Sequence, residues 1–319
     1  MIEGEHPLEQ QTTHPGQHNS IFFNDRGLRA GWRALAFLLL AIAPSVILGT
    51  IIVLLQHGPP NSNQQVALRP LDQLAGQIWI FLSIVFAAWV MSRIERCSMG
   101  VYGLPLKSTL VFSSFVTGYF LWGFLPLSVL LLILRALHVF YFGNLAIAPV
   151  QALSWAGLWA LVFLMVGLTE EYGFRGYLLY TLADGLGFWP AAIVMAVAFA
   201  LAHSFNPVES RIGVVMTALF SLFASMVLRR TGNLWLAVGA HAGWDWGQTF
   251  FYGVSDSGFQ AQGHLLNPHI EGPSWLSGGA VGPEGSIVAL LVLVLMTVLV
   301  ALIYRRREQP ALIITSLTS

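Results

Sequence analysis

The sequence predicts an all-α, polytopic transmembrane helical bundle of about eight spans with both termini in the cytoplasm. Three observations carry that expectation. Of its 319 residues, 56% are hydrophobic and only 9% are charged, against about 25% charged in an ordinary soluble domain. The mean hydropathy is +0.69, and the apolar residues gather in runs near the ~20 residues that one bilayer crossing requires. Lysine and arginine collect in alternate loops, as the positive-inside rule demands.

The chain begins with a polar stretch through Ser20, rich in Gln, His and Pro. It lacks the basic start and apolar core of a cleavable signal peptide, so it reads as a disordered tail. Apolar runs follow near residues 34–55, 75–93, 109–135, 152–183, 188–206, 211–229, 233–253 and 286–304, punctuated by Pro59-Pro60, Gly185 to Gly187, Pro207 and Gly232. Arg26, Arg29 and Arg33 precede the first span, and Arg93, Arg96 and Lys107 separate the second from the third. Arg229 and Arg230 follow the sixth span, and Arg305 to Arg307 follow the eighth. With both termini inside, only Arg69, Arg135 and Arg211 fall in loops on the other side.

A formal net charge of zero gives no electrostatic footprint for nucleic acid. The single cysteine, Cys97, cannot form an internal disulfide and reads as a structural thiol.

Chemistry concentrates in the second half. Thr169-Glu170-Glu171-Tyr172-Gly173-Phe174-Arg175 sets two carboxylates and a guanidinium inside an apolar run. Ionisable groups at membrane depth are costly and mark functional sites or dedicated pairs. Glu171 and Arg175 stand four apart, on one helix face and in the favourable order for an ion pair. Glu170 points about 100° away from Glu171. The expected division of labour is that Arg175 holds Glu171 while Glu170 faces a cavity.

The fourth span is too long for one crossing, because its 32 residues would extend about 48 Å. It must tilt, break or protrude. Spans four and five form a hairpin at Asp184 to Gly187. Glu170 lies 14 residues before that turn and His203 lies 16 after it, so both reach about 21–24 Å from it. Phe199, one turn before His203, is placed to pack beside the imidazole. In span seven His241 and Asp245 share a face at i, i+4, but His241 is only about 12 Å beyond Asn233. It matches the other two in depth if the 184–187 hairpin projects from the membrane.

A glutamate pair, two histidines and a further carboxylate converging in lipid point to hydrolysis of a peptide bond within the membrane. Trp235, Trp244 and Trp246 read instead as core or interface anchors. His264, His269 and Glu271 fall in a Gly/Pro/Ser-rich loop that reads as solvated. No His-Glu-x-x-His or Gly-x-Gly-Asp motif occurs. Ser255 and Ser257 have no membrane histidine partner, which argues against a serine mechanism.

The motifs Glu170-Glu171-x-x-x-Arg175, Phe199-x-x-x-His203 and His241-x-x-x-Asp245, in that order, resemble those of the CPBP intramembrane proteases (CAAX proteases and bacteriocin-processing enzymes, also called Abi). The resemblance covers roughly residues 150–255. It implies an endopeptidase with Glu170, His203, His241 and Asp245 as catalytic residues, and Glu171, Arg175 and Phe199 in support. Glu170 and His203 would hold and activate water, while His241 and Asp245 would stabilise the oxyanion or support the same site. A zinc ion held by Glu170, His203 and His241 is an alternative use of the same groups.

The organisation expected is a tail over 1–25, N-terminal transmembrane helices over 26–150 and a catalytic core over 151–255. An external loop over 256–285 and a terminal helix and tail over 286–319 complete it. The partners expected are the lipid bilayer and a membrane-associated, prenylated or peptide substrate, cleaved near the cytoplasmic side. No nucleic acid is expected. The location expected is a bacterial inner (plasma) membrane. Two other functions share these features. A proton-coupled transporter would use the Glu and His residues as a relay, but it predicts inverted repeats and polar groups in both halves. A non-catalytic immunity or scaffold protein would keep the fold without the chemistry.

Overall fold

The computed structural model describes residues 21–24, 27–55, 68–106, 108–206 and 208–304. The polar stretch through Ser20 lies outside the described residues, as do Arg26, Lys107 and Arg305 to Arg307. The two-residue strands β1 (Phe23–Asn24) and β2 (Gly27–Leu28) pair antiparallel just before the first helix. All the apolar runs are helical. They form α1 (Ala30–Leu55), α2 (Pro70–Ile94), α3 (Ser108–Thr117), α4 (Leu125–Ala136), α5 (Pro149–Tyr172), α6 (Leu179–Leu186), α7 (Phe188–His203), α8 (Arg211–Thr231) and α9 (Trp235–Trp246). The short α10 (Ser274–Ser277) and the long α11 (Ile287–Ile303) complete the set.

Among the described residues, five helical stretches are long and apolar enough to cross a membrane: 30–51, 70–94, 109–136, 149–186 and 211–231. The shorter apolar helices α7 and α11, together with α9 and its continuation through Phe251, occupy the remaining expected runs. The protein is thus an integral, multi-pass bundle. Outward faces are rich in Leu, Ile, Val and Phe, with Leu39 62% and Leu291 65% exposed, which is the surface that lipid covers.

Among the described residues, three helices change to π geometry part-way: Gly118–Phe124 between α3 and α4, Gly173–Leu178 between α5 and α6, and Gly247–Phe251 after α9. π segments widen a helix locally and cluster at functional sites. The second one resolves the excessive length of the fourth span, because Gly176 leaves helical geometry (φ −79°, ψ −112°). The span breaks there, and α6 turns away to pack on α1 and α7.

The tightest contact in the bundle lies between α9 and the third span. A Cβ at Gly239 would stand 2.2 Å from Phe115 O, and one at Gly243 would stand 2.1 Å from Tyr119 O. The approach is mutual, since Cβ atoms at Gly118 and Gly123 would stand 2.2 and 2.3 Å from Leu236 O and Ala240 O. Lipid is as apolar as leucine, so membrane helices gain from close van der Waals packing, which small residues permit. Gly239-x-x-x-Gly243 brackets His241, so this contact sets the depth and rotation of that imidazole.

At one end of the bundle Arg33 pairs with Asp184 and, at 3.4 Å, with Glu95. Tyr177 donates to Glu95, and Cys97 Sγ meets Tyr102 Oη at 3.2 Å. Burial pushes the Cys97 thiol up, so it stays neutral and serves packing. At the opposite end β3 (Phe140–Leu145) pairs antiparallel with β4 (Leu266–Ile270). That pairing draws the segment after α9 back over the helices. Trp159 Nε1 donates to Gln262 O at 2.9 Å, and Leu68 N donates to Gln260 O at 2.9 Å. Part of the expected solvated loop is therefore a packed cover, while His269 and Glu271 remain exposed as expected.

Gly243→Ala is expected to force α9 off the third span and lower the thermal midpoint of the purified protein in detergent. Gly157→Ala is the control, since nothing lies within 4 Å of its added methyl, and it leaves the midpoint unchanged or raises it. Equal midpoints for the two variants would refute the close-packing account.

Candidate active site

Glu170 and Glu171 end α5 just before the π segment, and neighbours on a helix face different directions. Glu171 is fully buried (0% exposed). Its Oε1 accepts from Arg175 Nη1 at 3.4 Å and from His241 Nδ1 at 2.8 Å. Arg175 is 1% exposed, and its Cζ lies 4.2 Å from the Phe199 ring centroid. The expected pair exists and does a second job, because the same carboxylate orients His241. With Nδ1–H committed to Glu171, Nε2 of His241 is the atom left facing outward.

His203 is set by the same logic from another helix. Its Nδ1–H donates to Phe199 O at 2.9 Å, and its ring lies 4.4 Å from the Phe199 ring, centroid to centroid. Its Nε2 therefore also faces away from its own helix. Glu170 Oε2 stands 3.8 Å from His203 Nε2 and 3.6 Å from His241 Nε2. That oxygen has no hydrogen-bond partner among the described residues. Asp245 Oδ2 lies 3.4 Å from His241 Nε2 on the same helix. Phe220 of α8 stands edge-on to the His241 ring at 5.1 Å and closes its far side.

All seven residues singled out in the sequence thus come together. The depth mismatch expected for His241 is removed by the break at Gly176 and the close seating of α9. Glu170, His203, His241 and Asp245 line one cavity of about 440 Å³. Its apolar walls include Trp159, Phe163, Met216 and Phe220, and Gln73 and Gln77 of α2 add polar groups.

Sequence reasoning missed Thr249, Asp256 and Glu284 and set Ser257 aside, yet all four line the cavity. Three of them lie in the packed cover. Thr249 Oγ1 donates to Asp256 Oδ2 at 2.9 Å, and Ser257 N donates to Glu284 Oε1. Burial pushes the Asp256 carboxyl up to about 6, against the hydrogen bond from Thr249. Burial, followed by the nearby Asp256 charge, also raises Glu284 well above the usual carboxylate range. No local motif announces these residues, since loop acids are ordinarily solvated. By contrast His269 and Glu271 form an exposed pair at 3.5 Å, away from the cavity, and His264 Nδ1 hydrogen-bonds Ala261 O.

The donor types of Glu170, His203 and His241 suit zinc in kind. Among the described residues, however, no group of three or more His, Cys, Asp or Glu side chains is arranged to hold a metal ion. Ligand atoms sharing a tetrahedral zinc stand about 3.4 Å apart, given ~2.1 Å bonds, and the separations from Glu170 Oε2 are wider at 3.6 and 3.8 Å.

Residues 152–247 match the family model described as type II CAAX prenyl endopeptidase Rce1-like. This match carries the likeness to the CPBP and CAAX proteases and supports an intramembrane endopeptidase activity. It spans the segment holding every residue from Glu170 to Asp245 and leaves out the first three spans and the last. No curated protein and no solved structure matches the chain.

Two outcomes follow from the charges. Glu171→Ala and Arg175→Ala each strand a buried partner, which costs about 3–5 kcal/mol. Both should lower folded yield and unfolding temperature sharply, and wild-type stability in either would contradict the pairing. For Asp256, the folded state holds its proton more tightly than the unfolded chain, whose carboxyl titrates near ~3.9. Stability should therefore fall as pH rises from about 4 towards the folded value of about 6. Melting midpoints across that window should flatten in Asp256→Asn, and an unchanged slope would exclude Asp256 as the source.

Proposed function

We propose that the protein hydrolyses a peptide bond in a membrane-associated or lipidated protein or peptide precursor, using water activated by Glu170. One observation carries the proposal: Glu170 Oε2 lies within 4 Å of the outward-facing Nε2 atoms of both histidines, and those histidines come from different helices. A water near these atoms reaches Glu170 and His203 together. As its oxygen attacks the scissile carbonyl carbon, Glu170 accepts the proton and the C=O electron pair moves onto the carbonyl oxygen. His241, held as an imidazolium between the carboxylates of Glu171 and Asp245, keeps Nδ1–H on Glu171 and donates from Nε2–H to that oxygen. Glu170 then returns the proton to the amide nitrogen as the C–N bond breaks. Apolar walls exclude bulk water, which strengthens each of these interactions.

Arg175 and Glu171 touch no substrate in this scheme, since both are sealed in protein, and they act by positioning His241. The description of the matching family names a prenyl substrate. The cavity's apolar walls suit a lipidated or hydrophobic peptide, so prenylated peptides and unmodified hydrophobic precursors are the two reporters to compare.

Glu170→Gln keeps the shape of the side chain and removes the base. General-base contributions are about 10²–10⁴-fold, so turnover of a reporter cleaved by the wild type should fall by that order. Folded yield and melting midpoint should stay near wild type, and full activity in this variant would remove Glu170 from the mechanism. Chelation with EDTA should leave turnover unchanged, because the scheme uses no metal. Loss of activity that added zinc restores would replace the water-only scheme with a metal-bound one.

A further inference from the structure

We infer that Asp256 and Glu284, which the cover sets into the catalytic cavity, are specificity-determining residues that receive a lysine or arginine side chain near the scissile bond. The inference rests on the hydrolase reading for the bond and on the composition of the cavity for the charge. The residues lining that cavity include four carboxylates, Glu170, Asp245, Asp256 and Glu284, but no lysine or arginine. Glu171 has Arg175 for a partner, and Glu170 and Asp245 face His241. Asp256 and Glu284 have no such cation. Burial raises both carboxyls, opposed chiefly by the Thr249 hydroxyl at Asp256 and by the Ser257 N–H at Glu284.

Both carboxylates are held in place. Asp256 N donates to Phe259 O at 2.9 Å, and Phe259 N donates to Asp256 O at 2.8 Å. Between them Ser257 and Gly258 take positive φ, 49° and 83°, as a tight I′ hairpin turn requires. Serine adopts that backbone at a cost, so the surroundings must hold the turn. They do so from two sides. The fully buried Gln248 donates to Ser255 O at 2.7 Å, and Gly258 N donates to Val281 O at 2.8 Å. Within this frame Thr249 Oγ1 donates to Oδ2 of Asp256, and Ser257 N donates to Oε1 of Glu284. Each carboxylate keeps a second oxygen for a ligand.

An independent observation points to the same ligand. Gln77 Oε1, in the cavity wall, is buried with no hydrogen-bond partner among the described residues. Asp245 is 8% exposed, and its ion contact is with His241 at 3.4 Å. These groups are acceptors, so their complement is a donor that carries positive charge. Ammonium and guanidinium groups bring several N–H donors and no acceptor. Carboxylates sharing an apolar-walled cavity repel one another, and a cation among them removes that penalty. The methylene stem of lysine or arginine packs on apolar surface, which Trp159 and Phe163 supply.

Matched reporter peptides test the inference. At each position of the peptide lysine is exchanged for norleucine, and arginine for citrulline, which nearly keep the shape and remove the charge. At one position kcat/KM should favour the charged peptide at least about tenfold, the ratio that ~1.4 kcal/mol supplies. Asp256→Asn and Glu284→Gln can keep the bonds from Thr249 and Ser257. Each should lower the preference, and the double variant should abolish it. The preference is a ratio within one variant, so a general loss of turnover or folded yield cancels from it. Equal kcat/KM for charged and neutral peptides in the wild type would overturn the inference. A preference undiminished in the double variant would do the same.

Binding to Glu170→Gln separates this result from the hydrolase reading. That variant should bind the lysine peptide more tightly than the norleucine peptide, and lose the difference when Asp256→Asn and Glu284→Gln are added. If the wild type cleaves no peptide and this difference is found, the hydrolase reading fails and recognition of a basic side chain stands. Equal binding of the two peptides removes that recognition, whatever turnover shows.

Discussion

Everything at the site depends on one buried carboxylate. Glu171 is out of contact with solvent and shares a single oxygen between the Arg175 guanidinium and the His241 imidazole. A buried charge without partners is among the most destabilising features a fold can carry, so this triangle resists rearrangement. It spans two helices separated by 70 positions in the chain. Its consequence is directional: by taking Nδ1–H of His241 it leaves Nε2 to face the cavity and Glu170. Phe199 plays the parallel part for His203 through its backbone carbonyl, and its ring lies beneath the Arg175 cation. The supporting residues thus form one continuous layer behind the reacting atoms.

That layer needs its helices at the right depth, and two backbone features supply this. The glycines of α9 bring its backbone against the third span, which seats His241 and Asp245 beside α5. The break at Gly176 lets α5 carry Glu170 and Glu171 at that level while α6 turns aside to meet Arg33 through Asp184. A straight fourth span would place one of these contacts out of reach. The π geometry after α9 does similar work, because Thr249 lies in it and holds Asp256 over the cavity.

Much of the bundle was legible in the sequence. The eight apolar runs agree with the helices to within a few residues, because a lipid-facing helix must be apolar along its whole length. The largest differences are at ends: α2 starts at Pro70, ahead of its apolar run, and α7 stops at His203, before its run ends. Spacing alone supplied the Glu171–Arg175 pair and the packing of Phe199 beside His203, since both are contacts within about one helical turn. The Gly239-x-x-x-Gly243 contact was not singled out in the sequence, and its partner lies on a distant span.

The sequence by itself determined the membrane class, the helices, the local pairs and which residue types carry the chemistry. These follow from interactions a few positions apart and from the solvent each segment must meet. Tertiary structure alone decided that Glu171 reaches His241, that the fourth span breaks at Gly176, and that Asp256, Ser257 and Glu284 close over the cavity. Each of those depends on segments distant along the chain, brought together by burial of charge and close packing, and no local pattern records that meeting.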